Sequence, residues 1–248
     1  REVAMKVILP GLANRPDFVR RFEVEAQVVA RLEHHFIVPL YDYWRDPDGA
    51  YLVMRYLRGG NLHDYIQQHG ALSIEEAFVL LSQIAQALHV AHRNQVVHRD
   101  IKPENIRLHP ERGPVLLDFG IAKDVSLDLT QSTVMMGTPI YMAPEQLDAA
   151  SVTGAADQYA VAMMTYRWLS GRFPWDENAS RSRIDLAKLM GKLLPLSDVK
   201  GDLPDGLSEA LMRGLSIEPS ERYGDCVGFY GALSDVGGVE GLYEAVEE

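Results

Sequence analysis

The strongest constraint on the fold is a pair of apolar runs whose polar residues all fall at one end. Residues 96–105 read VVHRDIKPEN and residues 115–120 read VLLDFG. Between them lie Ile106 and Leu108 on either side of Arg107, and the turn-rich HPERGP. Two short apolar runs flanking such a hexapeptide predict an antiparallel hairpin. Pairing sets Asn105, entering the first strand, beside Asp118, leaving the second, with Asp100 and Lys102 in the loop before. Two carboxylates, an amide oxygen and an ammonium then share one small volume. A carboxylate and an amide are hard oxygen ligands suited to Mg2+, and the second carboxylate remains to accept a proton or orient a hydroxyl. The cluster is suited to phosphate chemistry.

Upstream, residues 2–9, EVAMKVIL, alternate so that Lys6 shares a face with Ala4 and Ile8. A buried ammonium needs a partner. From Asp17, read as an N-cap, Phe18, Phe22, Glu25, Val29 and Leu32 recur at helical steps, which places Glu25 inside the apolar stripe. A Lys6 to Glu25 ion pair between strand and helix is the economical expectation. Residues 37–43 and 50–57 read as strands joined by the turn DPDG at 46–49. At Arg58, Gly59 and Gly60 the strand pattern gives way to helices, which sets a lobe boundary near 55–60.

Ser73 and Glu76 form a capping box for a helix over 74–93, with Leu80, Ile84, Leu88 and Ala91 as its stripe. His89 and His92 stand on it without a third ligand nearby, and read as surface or satisfied histidines. Residues 121–143 show little periodicity and hold Thr130, Ser132, Thr133 and Thr138; irregular stretches of that length tend to be functional or mobile. Residues 157–169 predict a buried helix opened by Asp157, and further helical patterns cover 184–194, 207–215 and 225–233. An acidic extension closes the chain.

Composition removes several alternatives. The formal charge of -11, from 24 Lys and Arg against 35 Asp and Glu, argues against a nucleic-acid face. It hints at basic or neutral protein segments as partners. Cys226 is the single cysteine, so no intrachain disulfide forms, and a reducing, cytoplasmic setting is expected with the thiol as a small core group. No apolar run reaches the roughly 20 residues that span a bilayer, although a longer parent protein could carry an anchor.

Taken in order, VAMK at 3–6, the inward Glu25, HRDIKPEN at 98–105, DFG at 118–120 and GTPIYMAPE at 137–145 resemble a Hanks-type protein kinase, specifically the bacterial eukaryotic-like serine/threonine kinases. The likeness runs from Val3 to about Leu233. It implies an α+β, bilobal kinase fold: a small antiparallel-sheet lobe with one helix and the hinge over 1–57, a mainly helical lobe over 58–236, and an acidic extension over 237–248. It implies transfer of the γ-phosphate of ATP to Ser or Thr hydroxyls of proteins. Asp100 would be the catalytic base and Lys102 would steady the phosphate. Lys6, paired with Glu25, would hold the α and β phosphates. Asn105 and Asp118 would bind Mg2+, for which Mn2+ could substitute. Around the adenine the family places Ala4, the gatekeeper Met54, the hinge Arg55, Tyr56 and Leu57, and a residue at the position of Arg107. Leu40, Val29, Phe119 and His98 would stack as a spine anchored by Asp157, and Glu145 would pair with Arg222 in the core. Arg99 before the catalytic Asp implies control by phosphorylation at Thr130, Ser132 or Thr133, with Thr138 shaping the substrate site and dimerisation as a route to autophosphorylation.

Two departures from the family stand out. The Gly-rich loop that covers the ATP phosphates lies outside these 248 residues and is expected in the parent protein. Arg107 occupies a position that is usually apolar; its stem can cover the ring while its head reaches water. The alternative to an active enzyme is a pseudokinase or interaction module that keeps the fold without turnover.

Overall fold

The computed structural model describes residues 2–121, 140–147, 152–176 and 178–239. Strands β1 (Val3–Ile8), β2 (Leu40–Asp46) and β3 (Gly49–Arg55) form an antiparallel sheet in the order β1-β3-β2. The alternation in β1 is the expected one: Ala4, Lys6 and Ile8 turn inward, while Val3, Met5 and Val7 stay about half exposed. β2 starts three residues later than its apolar run. Ile37 instead bridges Leu116, and the Pro39 carbonyl accepts from Arg55 N–H, so residues 37–39 tie the sheet to the helical part of the chain. The turn at 46–49 forms as read, closed by Asp48 N–H donating to Asp46 Oδ1 at 2.8 Å.

Helix α1 (Pro10–Ala13) is a single turn, followed by α2 (Pro16–Val29). Asp17 is not the N-cap of α2. Arg15 holds that position, because Pro16 is already set to helical φ and lacks an N–H to be capped. Asp17 falls in the first turn, where its charge suits the helix dipole, and it pairs with Arg20. Phe18, Phe22, Ala26 and Val29 are buried, with the two rings stacked at 5.3 Å.

The helical part opens with α3 (Leu62–His69) and α4 (Ile74–Arg93). The capping box is present: Ser73 N–H donates to Glu76 Oε2 at 2.9 Å and Glu76 N–H to Ser73 Oγ at 3.2 Å. β4 (Ile106–His109) and β5 (Gly113–Leu116) pair as the predicted hairpin, Ile106 opposite Leu116. Then follow α5 (Pro144–Leu147), α6 (Gly154–Ser170), α7 (Arg181–Leu189), α8 (Leu207–Gly214) and α9 (Cys226–Gly237). α6 is buried on nearly all sides and is the centre of this part, packed against α4, α8 and α9. Its cap is Thr153, so Asp157 lies inside the helix and is free to serve elsewhere. Cys226 is fully buried, and burial pushes its thiol pKa well up, which keeps it an inert core group.

Glu145 and Arg222 pair as expected and are almost entirely buried. The guanidinium donates from Nη1 and Nη2 to the two carboxylate oxygens at 2.7 and 2.8 Å, and to the carbonyls of Ala155, Ser216 and Ile217. Such a bidentate pair fixes α5 to the loop before α9. Glu145→Gln leaves the guanidinium buried without its counter-charge and is expected to cost about 3 kcal/mol. Urea unfolding of both proteins measures it, and an unchanged midpoint would show the pair to be dispensable.

Candidate active site

The site rests on one buried carboxylate. Asp157 Oδ2 accepts from His98 N–H and Oδ1 from Arg99 N–H, both at 2.8 Å, and Oδ2 also lies 2.8 Å from His92 Nε2. Two successive backbone amides are thereby clamped where the chain turns through Arg99, which sits at φ 63° in the left-handed region. Non-glycine residues hold that conformation only where surrounding bonds fix it. His98 beneath is fully buried. Burial lowers its pKa, and Asp157 opposes that more weakly. The ring is therefore neutral, with Nε2 donating to Leu117 O at 2.7 Å and Nδ1 accepting from Asp100 N–H at 3.3 Å. It lies 4.7 Å from the Phe119 ring, and Phe119, Val29 and Leu40 border one small void of about 20 Å3. The four expected spine members are thus neighbours.

The hairpin gathers its polar end as the spacing predicts. Leu117 N–H donates to Asn105 O at 2.9 Å, which sets Asn105 and Asp118 side by side. Asn105 Nδ2 donates to Asp100 O at 2.8 Å and to Asp100 Oδ2 at 2.9 Å, so its own Oδ1 is directed away from that carboxylate. Lys102 Nζ is 3.2 Å from the same Asp100 Oδ2. Asp118 has φ 54°, a second left-handed residue. Gly120 N–H donates to His98 O at 3.1 Å, and a Cβ on Gly120 would sit 2.7 Å from that oxygen. Only glycine lets the two loops approach this closely.

One expected contact is different. Lys6 Nζ pairs with Asp118 Oδ1 at 3.1 Å, and Glu25 Oε1 lies 4.0 Å from Arg99 Nη1. The hairpin and the left-handed Asp118 aim that carboxylate at the β1 ammonium. The clamped, left-handed Arg99 turns its guanidinium to α2, so each carboxylate meets a cation other than the one expected. Glu25 lies on the inward side of α2 as its spacing implied.

Above the hairpin, Ala4 and Leu40 both stand opposite Met54 in the sheet. Arg55 Nε donates to Tyr41 Oη at 3.1 Å, Tyr56 is about half exposed, and Leu57 packs with Val38 and Val115 in a small apolar cluster bordered by Met54 and Leu117. Arg107 lies on β4 opposite Val115 and bridges Asn61. Thr130, Ser132, Thr133 and Thr138 lie outside the described residues, as do residues 240–248 of the acidic extension. Both α4 histidines have partners: His92 meets Asp157, and His89 lies 3.1 Å from Asp225 Oδ2.

Two residues of this region stand outside the sequence expectations. Gln146 donates from Nε2 to Arg99 O at 3.2 Å and accepts from Ala143 N–H at 3.0 Å, so it ties residues 140–146 to the loop of Asp100. Lys188, only 1% exposed, donates to the carbonyls of Ile140 and Met142, the latter at 3.0 Å. Its place one helical turn after the buried Ile184 was the available sign.

The protein kinase domain model matches residues 1–224. The serine/threonine-protein kinase PrkC of Bacillus subtilis is 35% identical over 224 residues, covering 90% of this chain and 34% of its own length. Pkn1 of Myxococcus xanthus is 35% identical over 237 residues, with 93% and 34% covered, and PknH of Mycobacterium tuberculosis 33% over 238 residues, with 94% and 38% covered. The chain belongs to the protein kinase family, and it spans about a third of the length of these relatives. Its fold is also that of a crystal structure of Rad53 1–466 in complex with AMP-PNP, with a TM-score of 0.73 at 22% identity, covering 94% of this chain and 58% of that one. The bilobal α+β expectation is met. No described helix is long and apolar enough to cross a membrane.

Lys188 makes the site region pH-dependent. Burial lowers its pKa from 10.5 to about 7, with Asp185 acting in the opposite sense. Above pH 10.5 the amine is neutral folded or unfolded and burial carries no ionisation penalty. Between 10.5 and 7 the unfolded chain binds a proton that the folded chain does not, and below 7 the penalty is complete. Melting temperatures of the native chain and Lys188→Met at pH 7 and pH 9.5 should therefore differ in a pH-dependent way, the native chain gaining on the variant at the higher pH. An identical difference at both would show an ordinary, solvated ammonium.

Proposed function

We propose that this domain is a serine/threonine protein kinase that transfers the γ-phosphate of ATP to Ser or Thr hydroxyls of proteins. The observation that carries the reading is the hairpin end, where Asn105 donates to Asp100, Lys102 meets the same carboxylate, and Asp118 follows Leu117, whose N–H donates to Asn105 O. The donor set fits a divalent cation. Asn105 spends its amide N–H on Asp100 and keeps its oxygen, and Asp118 presents a partly exposed carboxylate beside it. Mg2+, or Mn2+ in its place, would be held by these two and would bring positive charge to the β- and γ-phosphate oxygens.

The remaining steps belong to the chain. Asp100 orients the acceptor hydroxyl and takes its proton as the oxygen bonds to the γ-phosphorus and the bond to the β-phosphate oxygen breaks, releasing ADP. Lys102 offsets charge on the transferred group. Lys6 turns from Asp118 to the α and β phosphates. Their ion pair is partly exposed and worth about 1 kcal/mol or less, so a phosphate competes for the ammonium at little cost. Met54, Ala4 and the hinge at 55–57 enclose the base, with the Arg107 stem against it.

The pairing of Glu25 with Arg99 supports control by phosphorylation. A phosphate on Thr130, Ser132 or Thr133 would compete with Glu25 for Arg99, release Glu25 to Lys6, and so free Asp118 for the metal ion. Autophosphorylation between two copies, with Thr138 shaping the acceptor site, and a cytoplasmic setting for this domain complete the reading.

With labelled ATP, Mg2+ and a generic protein substrate, a form of the protein that includes the phosphate-covering segment should transfer label, and Asp100→Asn should lose at least about a hundredfold. Transfer no greater than that variant's would favour the non-catalytic alternative. Peptide mass spectrometry after the same incubation should find phosphate at Thr130, Ser132 or Thr133; phosphate confined to other sites would remove the proposed switch.

A further inference from the structure

One cavity bordered by described residues lies away from the hairpin site. It is a cleft of about 410 Å3 where the end of α6 meets the start of α7, bordered by Arg167, Arg172 and Arg181 with Ile140, Phe173 and Trp175. Three guanidiniums around one cleft are unexpected in a chain of net charge -11. Their own contacts leave them under-compensated. Arg167 lies over the Phe173 ring at 4.7 Å and donates from Nη1 to the neutral Tyr141 hydroxyl at 3.1 Å, whose pKa burial raises to about 12. Arg172 reaches the Trp175 carbonyl at 3.5 Å, and its Nε is buried with no hydrogen-bond partner. Among the described residues no carboxylate pairs with either. Arg181, half exposed, has a loose contact to Asp185 one turn on, at 3.8 Å. Aromatic walls and planar donors of this kind suit a carboxylate or phosphate held in bidentate fashion.

The cleft is coupled to the chemistry by a short piece of backbone. Ile140 borders it, while Ala143 is bound to Gln146, which is bound to Arg99 of the catalytic loop. Three residues of chain span at most about 10 Å. Lys188 holds Ile140 and Met142 from below, so this connection is anchored. An extended polypeptide with its hydroxyl at Asp100 reaches the cleft within a few residues, at about 3.3 Å each.

We propose that this cleft is a specificity site for an anionic side chain, the carboxylate of Asp or Glu or a phosphate already present, carried by the protein substrate a few residues from the acceptor hydroxyl. The proposal rests on the kinase reading for its setting, but it concerns residues outside the hairpin cluster. It also reverses the simple expectation from net charge, because local guanidiniums rather than the overall field meet the substrate at this point.

The test is a positional scan with peptides that share one acceptor Ser and carry Glu, phosphoserine, Ala or Lys at each flanking place. At one place Glu or phosphoserine should raise kcat/KM about tenfold over Ala, and Lys should lower it. In Arg172→Gln, and separately in Arg181→Gln, that Glu to Ala ratio should fall toward one. Comparison of the Glu and phosphoserine series separates the two anion sources. Fluorescence anisotropy of the preferred peptide on the Asp100→Asn protein gives a readout without turnover. Turnover with no charge preference, or a preference that both arginine variants keep, overturns the site and leaves the kinase reading standing. Absence of turnover with Arg172-dependent binding overturns the kinase reading and leaves the site.

Discussion

The structure around the hairpin depends on the carboxylate of Asp157. It is buried, it accepts from two consecutive backbone N–H donors, and it meets His92. Without it, His98 and Arg99 N–H would be left inside the core with no acceptor, at a cost of about 1–3 kcal/mol each. With it, the chain holds Arg99 left-handed. Everything polar follows from that turn: Asp100 projects toward Asn105, and Arg99 toward α2. A helix buried on nearly all sides thus shapes the hairpin site through its single acid.

The four charges above the hairpin are less firmly held. Lys6 with Asp118 and Glu25 with Arg99 are partly exposed contacts, one of them at the outer limit for an ion pair. Weak, interchangeable pairs suit the proposed reaction, in which these groups would meet a phosphate and a metal ion in turn, because little is lost when they separate. The contrast with Glu145 and Arg222 is instructive. That pair is bidentate, buried and bound to three further carbonyls, and it stays in one arrangement. The same two residue chemistries serve rigidity in one place and exchange in the other, and burial makes the difference.

Charge across the molecule follows a similar logic. The chain is acidic overall, yet the cleft between α6 and α7 gathers three guanidiniums, one of them over the Phe173 ring. Net charge sets solubility and long-range steering, while the proposed role of the cleft rests on a few local donors.

Much of this was legible in the sequence, because local patterns decide local elements. The turn HPERGP between two apolar runs fixed the hairpin, and with it the meeting of Asn105 and Asp118. Ser73 and Glu76 marked the start of α4, and the alternation in β1 placed Lys6 inward. Asp17 has the chemistry of a cap, but it stands after Pro16, and a proline at the first helical position moves the cap to Arg15. What the sequence could not decide was which cation meets which carboxylate. Lys6, Glu25, Arg99 and Asp118 lie far apart in the chain, and their pairing depends on left-handed turns at Arg99 and Asp118 that only tertiary hydrogen bonds sustain. The roles of Gln146, Lys188 and the α6–α7 arginines were hidden for the same reason. Periodicity reports which face of an element is buried, and only the packed structure determines what that face meets.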